Sequence, residues 1–394
     1  MQHILKLKDK RVNATNISFQ ISIGDYVEMA EQILANNMFQ RKRVKSSTTV
    51  YALLKEDLKV GCVMPPLVLA IESDKDESNI IDKLTDQALV INHMKENINK
   101  LLILDGLQRT NTLIDLISET TRKGDQALLD SLKKNMMRIE LYIGVNRLSI
   151  LYRMLTLNTG QTPMSLRHQI EILYSDYIKI GINEIKLLLE VNAQRVSDIK
   201  EYKFSDVIDG FTSYIERNEL AIDRLDILEN IKGLEKLSKE NQSKDLFKSF
   251  IETFHLFLTK NIDIANRWKL DADYTKSYDD NPFGTDVQSI FKKNQVLTGF
   301  GAAAGKLIDN KKINDFDDLK NKIQNIKFNN DAKTDYSLLL KALSDVKKTA
   351  NKIGNAQRMY FQYFFRELFN EDTDAYLNIG LASSEAFKKY QSQI

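Results

Sequence analysis

Short apolar segments alternate with helical patterns through the N-terminal part of the chain. Alternating apolar and polar positions predict a strand over residues 17–23, and Gly24-Asp25 begins an amphipathic helix that continues to about Asn36. Apolar runs predict three more strands, over residues 67–71, 89–91 and 101–104, and a further strand is predicted over residues 138–145. Helical spacing and capping residues predict helices over residues 46–58, from residue 113 onward and over residues 147–157.

Beyond Pro163 the pattern becomes helical. Helical spacing covers residues 166–191, 206–217, 244–259, 285–293 and 336–369, and no segment there predicts a strand. The chain has only 4 prolines, which permits long helices. We therefore expect an α+β protein, with an N-terminal α/β domain over residues 1–170 and a mostly α-helical domain over residues 171–394. The polar segments 192–203 and 271–284 are the best candidates for linkers.

Composition excludes several classes of protein. The 394 residues are 43% hydrophobic and 28% charged with a net charge of +2, which is typical of a globular protein rather than a disordered one. No apolar run approaches the ~20 residues that span a bilayer, and the N-terminus lacks a signal-peptide pattern, so we expect no membrane association. The single cysteine, Cys62, excludes an internal disulfide and fits a reducing cytoplasm. With 4 scattered histidines, it also argues against a structural zinc site.

The strongest local pattern for chemistry is the segment Asp105-Gly106-Leu107-Gln108-Arg109-Thr110-Asn111, which follows the buried strand 101–104 and leads into a helix. Glycine lets the backbone turn sharply and approach a ligand. The first turn of a helix offers unpaired amides and the positive end of its dipole, and both suit a phosphate. Arg109 can clamp phosphate oxygens, and Asp105 can hold a metal ion or orient a water molecule. The alternative is a common Asp-Gly turn in which Arg109 simply pairs with Asp105.

A second candidate is the basic cluster at residues 41–45, where four of the five residues are lysine or arginine. Such a cluster can position the phosphate backbone of a nucleic acid. The alternative interpretation is the solvated start of a helix.

Segment 101–113 resembles the signature of the DGQHR/DGQQR proteins of the ParB/sulfiredoxin-like superfamily. In those proteins a strand, an Asp-Gly-Gln-His/Gln-Arg loop and a helix form a pocket for nucleotide or DNA phosphate. The resemblance extends to residues 37–41 with the later Pro65-Pro66 segment, and to residues 138–160, which end in Leu-Asn-Thr-Gly. It includes DndB-like regulators of DNA phosphorothioation, ATPases of deazapurine DNA modification and GmrSD-type restriction proteins. Leu107 departs from the pattern, because the family usually has glutamine there.

The resemblance implies a ParB/sulfiredoxin-like fold for the N-terminal domain and assigns its site residues. Asp105 and Arg109 would be catalytic, and Asp105 would also be the metal ligand. The nucleotide or phosphate site would be lined by Gly106, Gln108, Arg109, Thr110 and Asn111, with Asn158 and Gly160 facing it. DNA would be contacted by Gln40, Arg41, Lys42 and Arg43.

The function that the resemblance implies is DNA modification or anti-phage defence, with nucleotide or DNA bound through the loop at residues 105–109. An enzyme of this kind would hydrolyse ATP or another nucleoside triphosphate with Mg²⁺, and turnover would drive a conformational change. Two alternatives stay open: a non-catalytic DNA-binding regulator, and a protein-interaction scaffold, with which Leu107 is compatible. The expected partners are DNA and other proteins of such a system, in the cytoplasm. No heptad run sets an oligomeric state.

Three other features are assigned to packing or to no special role. Residues 299–306 resemble a P-loop, but Phe300 and Leu307 stand where that motif needs glycine and Ser/Thr, so we expect close helix packing through small residues. Six aromatic residues between Tyr360 and Phe369 predict a buried core helix rather than a base-stacking surface. Cys62 has no evident histidine partner for nucleophilic chemistry.

Overall fold

The computed structural model describes residues 4–36, 48–73, 77–157, 166–189, 198–220, 245–271 and 281–393. Contacts divide the chain into two compact units, Met1–Pro163 and Met164–Ile394. The N-terminal unit contains a mixed sheet with helices, and the C-terminal unit is mostly helical, which confirms the α+β class. In the ranges described, no helix is long and apolar enough to cross a membrane.

The N-terminal unit is built around a five-stranded sheet in the order β1-β2-β5-β3-β4. Its strands are β1 Leu5–Asp9, β2 Ala14–Ser22, β3 Leu67–Glu72, β4 Leu101–Asp105 and β5 Met136–Val145. β3 runs parallel to β5 and antiparallel to β4, while β2 runs antiparallel to β1 and to β5. Val68 pairs with Asp105, so the end of β4 lies beside the beginning of β3.

Helices follow or connect these strands. They are α1 Ile23–Asn36, α2 Thr48–Lys59, α3 Ser78–Lys83, α4 Gln87–Glu96, α5 Leu107–Lys123, α6 Gln126–Lys134 and α7 Arg147–Leu157. The sheet carries a core on each face because successive side chains of a strand point to opposite sides. In β3, Leu67 and Leu69 enter the larger core, whereas Val68 and Ala70 enter the smaller one.

The C-terminal unit packs helices around an aromatic core. Its helices are α8 Leu166–Leu173, α9 Tyr177–Ile180, α10 Phe204–Glu216, α11 Leu246–Ile264, α12 Val287–Phe291, α13 Asn294–Asp309, α14 Phe316–Gln324, α15 Ala332–Thr349, α16 Ile353–Phe369 and α17 Ile379–Gln391. Two short strands, β6 Lys186–Leu188 and β7 Glu201–Lys203, pair in parallel beside them. Phe250 of α11 lies against Phe300 of α13, with ring centres 5.8 Å apart, and both are fully buried.

Several sequence predictions about secondary structure are wrong. Residues 89–91 lie inside α4 rather than in a strand, because the carboxylate of Asp86 accepts a hydrogen bond from the Leu89 amide at 3.1 Å and caps the helix. The region beyond Pro163 contains two strands, β6 and β7, although the sequence predicts none there. Each strand has only three residues, which is too short to show an alternating pattern of apolar and polar positions. The helices predicted over residues 166–191 and 336–369 each break into shorter elements, and α5 begins at Leu107 rather than at residue 113.

Both packing interpretations for the C-terminal unit are confirmed. The P-loop-like segment lies within α13, and a Cβ atom at Gly301 would stand 2.0 Å from the carbonyl oxygen of Gly210 in α10. Glycine therefore lets the two helix backbones approach closely. The aromatic segment forms α16, in which Tyr360, Phe361 and Phe365 are fully buried.

Candidate functional site

The candidate site lies at the junction between β4 and α5. Asp105 is the last residue of β4, and Gly106 is the N-cap of α5 with a φ of 99°, in the left-handed region. A Cβ atom at Gly106 would lie 2.3 Å from Cδ2 of the Leu67 side chain. The turn needs glycine for both its conformation and its space. In the described part of the chain, no side chain caps this end of α5.

Arg109 is held by three acceptors. Its Nη2 donates to Oδ2 of Asp105 at 2.7 Å, and its Nη1 donates to the carbonyl oxygens of Pro65 at 2.6 Å and Pro66 at 3.0 Å. The side chains of Arg109 and Asp105 are 17% and 20% exposed. The guanidinium thus fastens the end of β4 to the segment that leads into β3. The sequence alone does not identify these two proline carbonyls as part of the site.

Thr110 and Leu107 contribute to the core beneath the loop. The hydroxyl of Thr110 is fully buried and lies 2.8 Å from the hydroxyl of Tyr26 in α1. Burial raises the pKa of Tyr26 well above its ordinary value, so this phenol stays protonated. Leu107 is partly buried and packs against the larger core of the sheet. The apolar residue at the position that departs from the DGQHR pattern therefore adds to packing.

Gln108 in the first turn of α5 and Asn111, three residues further along the same face of the helix, are both half-buried. No described residue forms a hydrogen bond with either side chain, although the Gln108 carbonyl accepts from the Thr112 hydroxyl at 2.9 Å. Their amide groups can therefore bind a ligand without breaking a contact in this part of the molecule.

The remaining residues that the sequence predicts for the site are not among those that the structure describes. Asn158 and Gly160 lie outside the described residues, and so do Gln40, Arg41, Lys42 and Arg43. The loop at residues 105–111 is therefore the part of the predicted site that the structure describes.

The loop is a poor fit to Mg²⁺. Across the described ranges, no group of three or more His, Cys, Asp or Glu residues could hold a metal ion. The single carboxylate of the loop, that of Asp105, already accepts from Arg109. Magnesium is usually bound by one or two carboxylates together with substrate phosphates, so a metal ion here would compete with the Arg109 guanidinium for the Asp105 carboxylate.

Cys62 has the character of a structural thiol. It is partly buried against the larger core, and burial together with the charge of Asp57 raises the pKa of its thiol. A raised pKa lowers the fraction of reactive thiolate.

No family model, no curated protein and no solved structure matches this chain. The geometry of the loop at residues 105–111 is therefore the main basis for a proposal about function.

Proposed function

We propose that the loop at residues 105–111 binds a phosphate group of DNA or of a nucleotide, and that the protein acts in DNA modification or anti-phage defence. The observation that carries this proposal is the start of α5, where a left-handed glycine is followed by a helix that no described side chain caps. The assignment to DNA modification or defence rests on the resemblance of segment 101–113 to the DGQHR/DGQQR proteins. The same resemblance implies a ParB/sulfiredoxin-like fold for the N-terminal unit, and we include that fold in the proposal.

The start of α5 presents several donors in one place. The first bond of the helical ladder runs from the Thr110 amide to the Gly106 carbonyl at 2.8 Å, so the amides of residues 107–109 have no partner within the helix. These amides and the helix dipole favour an anion. The side-chain amides of Gln108 and Asn111 and the charge of Arg109 add further donors beside them.

Binding without hydrolysis is the mode that the contacts favour. Asp105 is neutralised by Arg109, whereas an aspartate that orients water or a metal ion must face the substrate. Arg109 is also committed to two backbone carbonyls, so it acts as a fixed charge beside the helix end rather than as a mobile clamp. Leu107 supplies no polar group. We therefore place the non-catalytic DNA-binding regulator ahead of the nucleotide hydrolase.

The test measures binding and turnover on the same variants. Affinity for a short DNA duplex and for ATP is measured by fluorescence anisotropy and calorimetry at several salt concentrations, and phosphate release is followed with ATP, GTP and CTP. The variant Gln108→Ala/Asn111→Ala removes two side chains that make no hydrogen bond to the described residues. The matched control is Arg122→Ala, an exposed cation at the other end of α5.

We expect the affinity to depend on salt, to fall by about a hundredfold or more in the double variant and to be unchanged in the control. The reason is that two bonds to a charged group are lost and each is worth about 1.5–3 kcal/mol. Equal affinities in the wild type and the double variant would remove the loop as the binding site. Phosphate release that disappears in Arg109→Lys would show an enzyme, and would overturn the non-catalytic assignment.

A further inference from the structure

A cavity of about 790 Å³, lined mainly by charged and polar residues, lies in the C-terminal unit at a place that no sequence motif marks. Its lining comes from β7, the beginning of α10, residue 269 and the segment 286–297. Four lysines take part in this lining: Lys203, Lys269, Lys292 and Lys293. Among the described residues, none of these four ammonium groups forms an ion pair with a carboxylate.

Lys292 is held by neutral groups. Its Nζ donates to the carbonyl oxygens of Asp198 at 2.5 Å and Glu201 at 2.7 Å, and it lies 4.7 Å from the ring centre of Tyr202. Burial lowers the pKa of this amine to about 8, although the charges of Asp198 and Glu201 oppose the shift. The positive charge is therefore fixed in position but incompletely compensated.

Lys293 is in a similar position at the beginning of α13. Its Nζ lies 4.2 Å from the ring centre of Phe283, and burial lowers its pKa. Lys203 and Lys269 are exposed at the rim. An anion inside the cavity would gain from all four charges and would relieve the cost of keeping two of them partly desolvated.

Three carboxylates share the lining, and they limit what the ligand can be. Asp286 accepts from the Ser289 amide at 2.8 Å, and Asp206 accepts from Nδ2 of Asn294 at 3.0 Å, while Glu201 is the third. A continuous phosphate backbone passing through the cavity would be repelled by these charges. A compact anion can instead sit against the lysines and direct its hydroxyl or amine groups to the carboxylates.

We propose that this cavity binds a small phosphorylated molecule of about nucleotide size, with its phosphates against Lys203, Lys269, Lys292 and Lys293. The volume lies in the ~300–1,000 Å³ range typical of ligand pockets, which leaves room for a molecule of nucleotide size. This site is separate from the loop at residues 105–111, and its ligand does not depend on the function proposed for that loop.

The first test uses pyridoxal 5′-phosphate, which carries both an aldehyde and a phosphate. Its aldehyde condenses with an unprotonated lysine amine and releases water, and borohydride then reduces the imine to a stable secondary amine that mass spectrometry locates. The reference site is Lys341, which is exposed on α15 and does not line the cavity. We expect cavity lysines to be labelled at least about tenfold faster than Lys341, and pyrophosphate or ATP to slow that labelling.

Three results would overturn the proposal. The first is that Lys341 and the cavity lysines are labelled at equal rates. The second is that pyridoxal, which lacks the phosphate, labels the cavity lysines in preference to Lys341 as strongly as pyridoxal 5′-phosphate does. That result would show that the preference comes only from the lowered pKa of the amines. The third is protection by a short DNA strand at lower concentration than by ATP, which would make the cavity a nucleic-acid groove. Gln108→Ala/Asn111→Ala must leave the protection by ATP unchanged, so that failure of the loop site and failure of the cavity remain distinguishable.

The second test removes the rim charges. Lys203→Ala/Lys269→Ala alters two exposed side chains, so we expect the fold to be retained and the affinity for pyrophosphate to fall by about tenfold in calorimetry. Lys341→Ala is the matched control and should bind as the wild type does. Identical affinities for the double variant and the control would contradict the proposed ligand position.

Discussion

The hydroxyl groups of Tyr26 and Thr110 lie 2.8 Å apart, although 84 residues separate them in the sequence. Both side chains are fully buried, so this contact joins α1 to the first turn of α5 beneath the candidate site. The loop above is therefore positioned from inside the protein by Tyr26, and from the side by the bonds of Arg109 to Pro65 and Pro66.

Replacing Tyr26 with Phe should lower the free energy of unfolding by about 1 kcal/mol, because the Thr110 hydroxyl loses its partner inside the core. Urea denaturation of Tyr26→Phe, Thr110→Val and the double variant measures the effect. We expect the double variant to lose less than the sum of the two single variants, since no polar atom is then left alone. Strict additivity would show that the two hydroxyls do not interact in solution.

Gly106→Ala should lower the free energy of unfolding by about 1–3 kcal/mol more than an ordinary surface change, because alanine at positive φ is strained and its Cβ would collide with Leu67. Gly124→Ala is a close control, since Gly124 ends the same helix with a φ of 71° and an added Cβ there would meet no atom within 4 Å. The two variants share the strain but not the collision. Equal losses in thermal or urea unfolding would refute the tight contact at Gly106.

Gly301→Ala should destabilise the C-terminal unit by more than about 2 kcal/mol, because the added Cβ would stand 2.0 Å from the Gly210 carbonyl oxygen and α10 would have to move. Gly354→Ala in the first turn of α16 tests a helix glycine with free space around it. The atom nearest to an added Cβ there is Nη1 of Arg358, at 3.5 Å. There we expect little change or a gain of up to about 1 kcal/mol from helix propensity. Similar effects of both variants on the melting temperature would contradict this packing.

Lys292 should give a distinct pH dependence of stability. Its pKa is about 8 in the folded protein and 10.5 ordinarily, so between these values the unfolded chain binds more protons and stability rises with pH. The destabilisation caused by burying the charged Lys292 amine is complete below about pH 8 and disappears as the pH approaches 10.5. Urea denaturation of the wild type and Lys292→Met at several pH values across this window should show that the free energy of unfolding rises with pH more in the wild type than in the variant. Parallel profiles would rule out the desolvated amine, and Lys341→Met supplies the reference for an exposed lysine.

The sequence identifies the elements that carry strong local patterns. The apolar run 101–104 and the strand predicted over residues 138–145 correspond to β4 and β5, and α7 has the predicted bounds. Residues 89–91 show the limit of this approach, because three apolar residues in a row do not distinguish a strand from a helix. The signal that decides the case is the capping residue Asp86, which stands in the sequence directly before the first residue of α4 and which the strand prediction does not take into account.

For the candidate site, the sequence predicts the turn and the pairing of Asp105 with Arg109 as one of two alternatives, and the structure contains that pair. It does not predict the bonds from Arg109 to Pro65 and Pro66, because every residue offers a carbonyl oxygen and the choice depends on how β4 aligns with β3. The lysine cavity is missed for a similar reason. Lys203 and Lys269 are far from residues 292–293 in sequence and meet them only through tertiary packing.

The position of β5 in the sheet has a consequence for synthesis of the chain. β2 and β3 are not paired with each other, and β5 lies between them, although it is made last of the five strands. A growing polypeptide that has not reached Met136 can therefore form at most two separate strand pairs of this sheet, β1 with β2 and β3 with β4. The β4–α5 loop is translated before the strand that unites these halves, so the sheet that carries the loop can close only after residue 145 has left the ribosome.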